Sequence, residues 1–152
     1  MATITAAALK ISSPSFQHEE FIPAEYTCEG KDRNPPITIQ SIPEGTKSLA
    51  LIIDDPDAPN GTFDHWLIWN IEPAGRIDEN SAPGTQGRNS TGKNGYKGPC
   101  PPSGTHHYHF KMYALDLELD LKSGADKTML EQAMKDHILA SGELIGLYAK
   151  RK

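Results

Sequence analysis

Apolar residues gather into three runs along the chain. These are residues 49–54 (LALIID), 65–71 (HWLIWNI) and 106–116 (HHYHFKMYALD). Each is rich in β-branched or aromatic residues and is flanked by Pro, Gly or Asp, which predicts strands. Weaker strand patterns lie at 4–11, 37–39 and 144–149. One segment has a different period. Leu130, Ala133, Met134, His137 and Ile138 recur at helical spacing, and Thr128 with Glu131 forms a capping-box pattern in front of them. Strands joined by Pro/Gly-rich loops, with a single late helix, predict a mainly antiparallel sheet core.

Side chains alternate faces along a strand. In the third run His106, Tyr108, Phe110 and Met112 share one face, which is apolar beyond its start and so should meet the core. His107, His109, Lys111 and Tyr113 share the other, which reads as solvated. In the second run alternation groups His65, Leu67, Trp69 and Ile71. The first run ends in Asp54-Asp55-Pro56-Asp57. Three strand ends can therefore offer polar groups: a carboxylate, His65, and His106 with Tyr108. Brought together, they would form a polar site on an apolar floor, as ligand pockets usually are. Each piece also has a plainer reading. A strand-end histidine is commonly a structural hydrogen-bonding residue, and DPDAP and CPP could be only a turn and a rigid loop.

Between the runs lie loops at 28–36 and 58–62, and a long polar Pro/Gly-rich stretch at 73–102, a length that usually signals function. No repeat or linker divides the 152 residues, so one domain over 1–152 is expected. The net charge of −5 argues against nucleic acid and anionic membranes, but leaves room for a locally positive pocket. No apolar stretch reaches the roughly 18 residues of a membrane span, so no membrane insertion is expected. The N-terminal MATITAAALKISSPSF has no basic start followed by a long apolar core, so no signal peptide is expected. Cys28 and Cys100 stand far apart, with no CxxC and no disulfide framework. The expectation is a cytoplasmic domain with reduced thiols.

The blocks DDPDAPNGTFDHWLIWNI (54–71) and GYKGPCPPSGTHHYHFKMYALD (95–116) resemble the two signature blocks of the phosphatidylethanolamine-binding protein family, in its bacterial and archaeal Raf-kinase-inhibitor-like branch. FIPAEYTCEGKDRNPPI (21–37) and LEQAMKDHILASGELIGLYAK (130–150) are similar to that branch as well, so the resemblance spans almost the whole chain. It implies a mainly β fold of two packed antiparallel sheets with a few peripheral helices. It also implies a small surface pocket for phosphate-type anions or phosphorylated headgroups such as phosphorylethanolamine. Carried over residue by residue, the ligand-binding positions are Asp55, Asp57, His65, Cys100, Pro101, Pro102, His106 and Tyr108. A cis peptide is implied at Ala58–Pro59. No cofactor and no catalysis are implied. A homodimer and regulation of an unidentified protein partner are within the family's range.

The chain departs from the family pattern at His107, where Arg is usual, and alternation turns that position away from the pocket. The sequence ends at Lys152 without the extra helix of animal members, which implies a pocket more open or closed by a second subunit. In chemical terms His65, His106 and Tyr108 would donate to an anion, loops near Cys100 could add backbone N–H groups, and Asp55 could orient His65. The alternative is a hydrolase using the same pocket, either through a metal held by Asp55, Asp57, His65 and His106 or through a Cys100–His106 pair. The His107-x-His109 spacing is a further metal pattern. No GxSxG, P-loop or HExxH is present.

Overall fold

The run LALIID is apolar at almost every position, and such a run suits a strand covered on both faces. The computed structural model, which describes residues 7–150, places it so. It forms β4 (Ser48–Asp55), buried at all eight positions. Before it come β1 (Ala7–Ala8), β2 (Lys10–Ser12) and β3 (Ile37–Gln40). After it come β5 (Phe63–Ile71), β6 (Arg76–Ile77), β7 (Thr85–Gln86), β8 (Thr105–Leu115), α1 (Lys127–Met134) and β9 (Ile138–Ala149). A 3₁₀ turn, Ala24–Tyr26, precedes β3. Of the strand expected over 4–11, residues 4–6 lie outside the described residues.

One sheet has the order β1-β9-β8-β4-β5-β7 and the other β2-β3-β6. All pairings between these strands are antiparallel except the edge pair β1–β9. The small sheet covers one face of the large sheet. There Ile37, Ile39 and Ile77 pack with Leu49, Leu51, Ile53, Trp66, Tyr108, Phe110 and Met112. Helix α1 covers the other face, where Leu130 and Met134 meet Ala50, Ile52, Leu67 and Trp69. Each fully buried large side chain contributes about 1.5–3 kcal/mol. The fold is thus the expected one of two packed sheets with a peripheral helix.

Strand β8 follows the alternation read from its sequence: His106, Tyr108, Phe110 and Met112 are buried, and His107 is exposed. Strand β5 does not. Its register against β4 jumps twice, from Ile71 to Ile68 and from Trp66 to Asp64. Each jump is a β-bulge with one extra residue on β5, and a bulge shifts the faces of all residues beyond it. Asn70 is the first, at φ 55°, its side chain exchanging two hydrogen bonds with the backbone of Leu119. His65 is the second. Leu67 and Trp69 consequently face α1, while His65 and Ile71 lie on the side of the small sheet. The expected common face of His65, Leu67, Trp69 and Ile71 is therefore split.

The helix is also shorter than its periodicity suggests. It ends at Met134, and Ile138 opens β9, paired with Leu115. Pairing along eleven positions of β8 outweighs local helical spacing. Its N-cap is Asp126, not Thr128: the Asp126 carboxylate accepts from the Met129 N–H at 3.0 Å. Asp126→Ala should cost about 1 kcal/mol, read as a lowered urea midpoint with an unchanged slope.

Two expectations about covalent geometry are corrected. Cys28 and Cys100 form a disulfide, with Cα atoms 5.5 Å apart and a separation of 72 positions in sequence. Sequence distance gave no hint of this, because the loops that carry the two cysteines meet only in the folded chain. The thiols are not free, and the reduced-thiol argument for a cytoplasmic setting falls with them. Disulfides persist in oxidising compartments and also inside hyperthermophile cells. The described peptide bonds include no cis bond, so Ala58–Pro59 is trans. Among the described residues no helix is long and apolar enough to cross a membrane.

Candidate functional site

Where β4, β5 and β8 end on one side, the chain leaves a cavity of about 450 Å³. Asp55 closes β4, the bulged His65 lies near the start of β5, and His106 and Tyr108 open β8. The loop carrying Cys100, Pro101 and Pro102 forms another wall. Seven of the eight positions expected from the sequence therefore surround one cavity.

The polar geometry is specific. His106 Nδ1–H donates to Asp55 Oδ2 at 2.6 Å, and both side chains are buried. His65 Nδ1–H donates to the Lys97 carbonyl at 2.6 Å. Asp55 thus orients His106, and not His65 as expected from the sequence. In both rings Nδ1 is engaged, and neither Nε2 has a partner among the described residues. The Tyr108 ring meets His65 edge-on at 5.2 Å and stacks near His106 at 6.4 Å. Its hydroxyl is buried and has no hydrogen-bond partner among the described residues. A buried hydroxyl without a partner costs free energy, so a group on a ligand or water is its natural complement.

Burial holds the His65 imidazole below its ordinary range, against the opposing pull of the Lys97 carbonyl and Asp55. Near neutral pH its Nε2 is therefore a bare acceptor. Burial also pushes the Tyr108 phenol well above its usual value, so it keeps its proton and donates. Lys97 lies on the wall, its ammonium 3.5 Å from Asp32. Ala58, Pro59 and Phe63 supply apolar surface. The site combines one fixed donor, two imidazoles that accept when neutral and donate when protonated, a nearby cation and an apolar side.

Asp57 is not in the cavity lining. Its Oδ2 accepts both the backbone N–H of His107, at 2.8 Å, and His107 Nδ1–H, at 2.7 Å. Its own N–H donates to Asp55 Oδ1 at 2.8 Å. The hydrogen bond from the His107 ring is the main cause that holds the Asp57 carboxyl below the usual carboxylate range. Asp57 therefore clamps the DPDAP turn onto β8 instead of facing a ligand. The four-ligand metal set does not assemble, and among the described residues no group of three His, Cys, Asp or Glu side chains converges for a metal. The second pattern, His107-x-His109, is likewise divided: His109 turns to Glu143 at 3.1 Å. The Cys–His pair fails as well, because Cys100 is disulfide-bonded.

Sequence reasoning missed Ser90, Lys97 and Gly98 as wall residues. Lys97 and Gly98 stand directly before the Pro-Cys-Pro-Pro run and could have been inferred from it. Ser90 comes from the long loop and carries no local signal.

Comparisons with known proteins bear on the family and the fold. A sequence profile of the family described as Phosphatidylethanolamine-binding protein matches residues 12–149. A UPF0098 protein of Pyrococcus horikoshii is 52% identical over 155 residues, covering 95% of this chain and 78% of its own length. One from Methanothermobacter thermautotrophicus is 44% identical, covering 93% and 99%. Among solved structures, a phosphatidylethanolamine-binding protein homolog of Chlamydia trachomatis superposes with a TM-score of 0.92 at 37% identity, covering 96% of this chain and all of the other. Escherichia coli YbcL, described as a new member of the mammalian family, gives 0.87 at 28% identity, covering 95% and 100%.

Proposed function

Because the chain belongs to the phosphatidylethanolamine-binding protein family, we propose that its cavity binds a small phosphate-type oxyanion, free or as the head of a phosphorylated compound, without turning it over. The observation that carries this reading is the buried Tyr108 hydroxyl, without a partner among the described residues, on a ring flanked by two imidazoles whose Nε2 atoms also have no partner there. An oxyanion presents several acceptors at once and, when singly protonated, one donor. It can satisfy Tyr108 and exchange a proton with His65. The neighbouring apolar wall accommodates whatever group the phosphate is attached to. Asp55 stays compatible with an anion because both its oxygens already accept, one from His106 and one from the Asp57 N–H. Cys100, the one nucleophile the sequence suggested, is bound in its disulfide.

The test is an amide NMR titration with inorganic phosphate and with O-phosphorylethanolamine. Saturable shifts should cluster on residues 55–65 and 97–108 and be lost in His65→Ala. No shift at millimolar phosphate in the wild-type protein would remove the reading.

The pH dependence has a definite sign. A bound anion favours a protonated His65, and burial keeps that ring neutral in the empty site. Affinity should therefore rise as pH falls below the ordinary imidazole value of about 6.5. The empty protein should lose stability over the same window, because the unfolded chain takes up the proton first. Affinity that stays level from pH 8 to 5.5 would exclude histidine donors.

A further inference from the structure

The wall formed by Cys100, Pro101 and Pro102 is fastened unusually. The strap of residues 96–102 has no regular secondary structure. Its first half is tied down several times. Tyr96 donates its O–H to the Tyr26 carbonyl at 2.7 Å, Lys97 N–H donates to the His65 carbonyl at 2.9 Å, and Gly98 N–H donates to Asp32 Oδ1 at 2.7 Å. Cys28 N–H donates to the Pro99 carbonyl at 3.1 Å. Beyond Pro99 the hydrogen bonds end, and of residues 100–104 only Pro101 is buried. Residues 100–104 make no hydrogen bond to any described residue, and two of them are prolines with no N–H to offer. Pairing resumes only at Thr105 in β8. The Cys28–Cys100 disulfide is the one covalent fastening of this half. Cys100 is exposed and Cys28 half-buried, so the bond lies at the surface of the fold and not in its core.

We infer that the Cys28–Cys100 disulfide is a redox latch on the pocket: the oxidised chain holds the Pro101–Pro102 wall in place and is the high-affinity form, and reduction releases the wall. This inference rests on the anion-binding reading above. The chemistry balances with a dithiol as reductant. Its thiolate attacks the disulfide, a mixed disulfide forms, and the second thiol closes the reductant's own ring. Two electrons and two protons pass to Cys28 and Cys100, which become thiols, and the reductant leaves as a cyclic disulfide. If the released wall occupies its binding position about one tenth of the time, apparent affinity falls about tenfold.

The experiment compares ¹⁵N-labelled oxidised protein, the same protein after dithiothreitol with two free thiols confirmed, and the Cys28→Ser/Cys100→Ser variant. Retained dispersion of the β8 and β9 amide signals shows that each is folded. Backbone order parameters at residues 100, 103 and 104 should drop on reduction from the rigid value of about 0.85 toward about 0.6. The Kd for inorganic phosphate should rise about tenfold. The double variant should match the reduced protein and ignore the dithiol. Equal Kd in oxidised and reduced protein overturns the inference, whatever the order parameters do. No saturable shift in either form overturns the anion reading instead, and the order parameters then decide by themselves whether the disulfide latches the wall.

Discussion

Reducing Cys28–Cys100 should lower the unfolding free energy by about 4 kcal/mol. The bond joins positions 72 apart, and closing a loop of that size removes about this much chain entropy from the unfolded state. This effect is separate from the local loosening of the pocket wall, because it acts on the unfolded ensemble. A domain of this kind has only about 5–15 kcal/mol in total. Reduced protein should therefore remain folded at 25 °C but melt about 10 °C lower. Urea unfolding of oxidised protein, reduced protein and the Cys28→Ser/Cys100→Ser variant measures it. A loss under about 1 kcal/mol would mean that the unfolded chain is already constrained without the bond.

Gly98→Ala should be the most damaging single methyl in the pocket wall. A Cβ on Gly98 would overlap the Asp32 carboxylate oxygen and the Tyr26 carbonyl, and would stand 3.0 Å from Thr27 Cα. Two of these are backbone atoms that cannot swing aside. The third belongs to the carboxylate that holds the Gly98 N–H and the Lys97 ammonium. The strap must therefore move away from the 26–32 loop, carrying with it the Lys97 carbonyl that fixes the His65 tautomer. A cost of about 3 kcal/mol is expected, at the upper end for overpacking, together with weakened phosphate binding. Gly75→Ala is the control, because its nearest contact, the Ile39 carbonyl, lies at an ordinary 3.6 Å. If both variants keep wild-type stability and phosphate affinity, the strap is not held as described.

The strongest local patterns were legible in the sequence for a simple reason. A strand buried on both faces must be apolar throughout, and a strand between core and solvent must alternate. β4 and β8 obey those rules, so their residue patterns alone place Asp55 at one strand end and His106 with Tyr108 at another. The quoted blocks carried the rest of the pocket, because their Pro and Gly residues restrict the loops that bring Pro101 and Pro102 alongside.

Tertiary structure alone decided four things. The bulge at His65 turned that ring toward Tyr108, and a bulge depends on register against a partner strand, which periodicity within one strand cannot report. Asp57 went to His107 because β8 begins beside the DPDAP turn, a meeting of positions 50 residues apart. The helix stopped at Met134 because eleven pairings with β8 claimed the chain from Ile138 onward. Cys28 met Cys100 because the strap and the loop after the 3₁₀ turn cross at the pocket wall. Each outcome is a contact between segments distant in sequence. Propensity and spacing act over a few residues and specify which segments become strands; the contacts among those segments then select which side chains share the cavity.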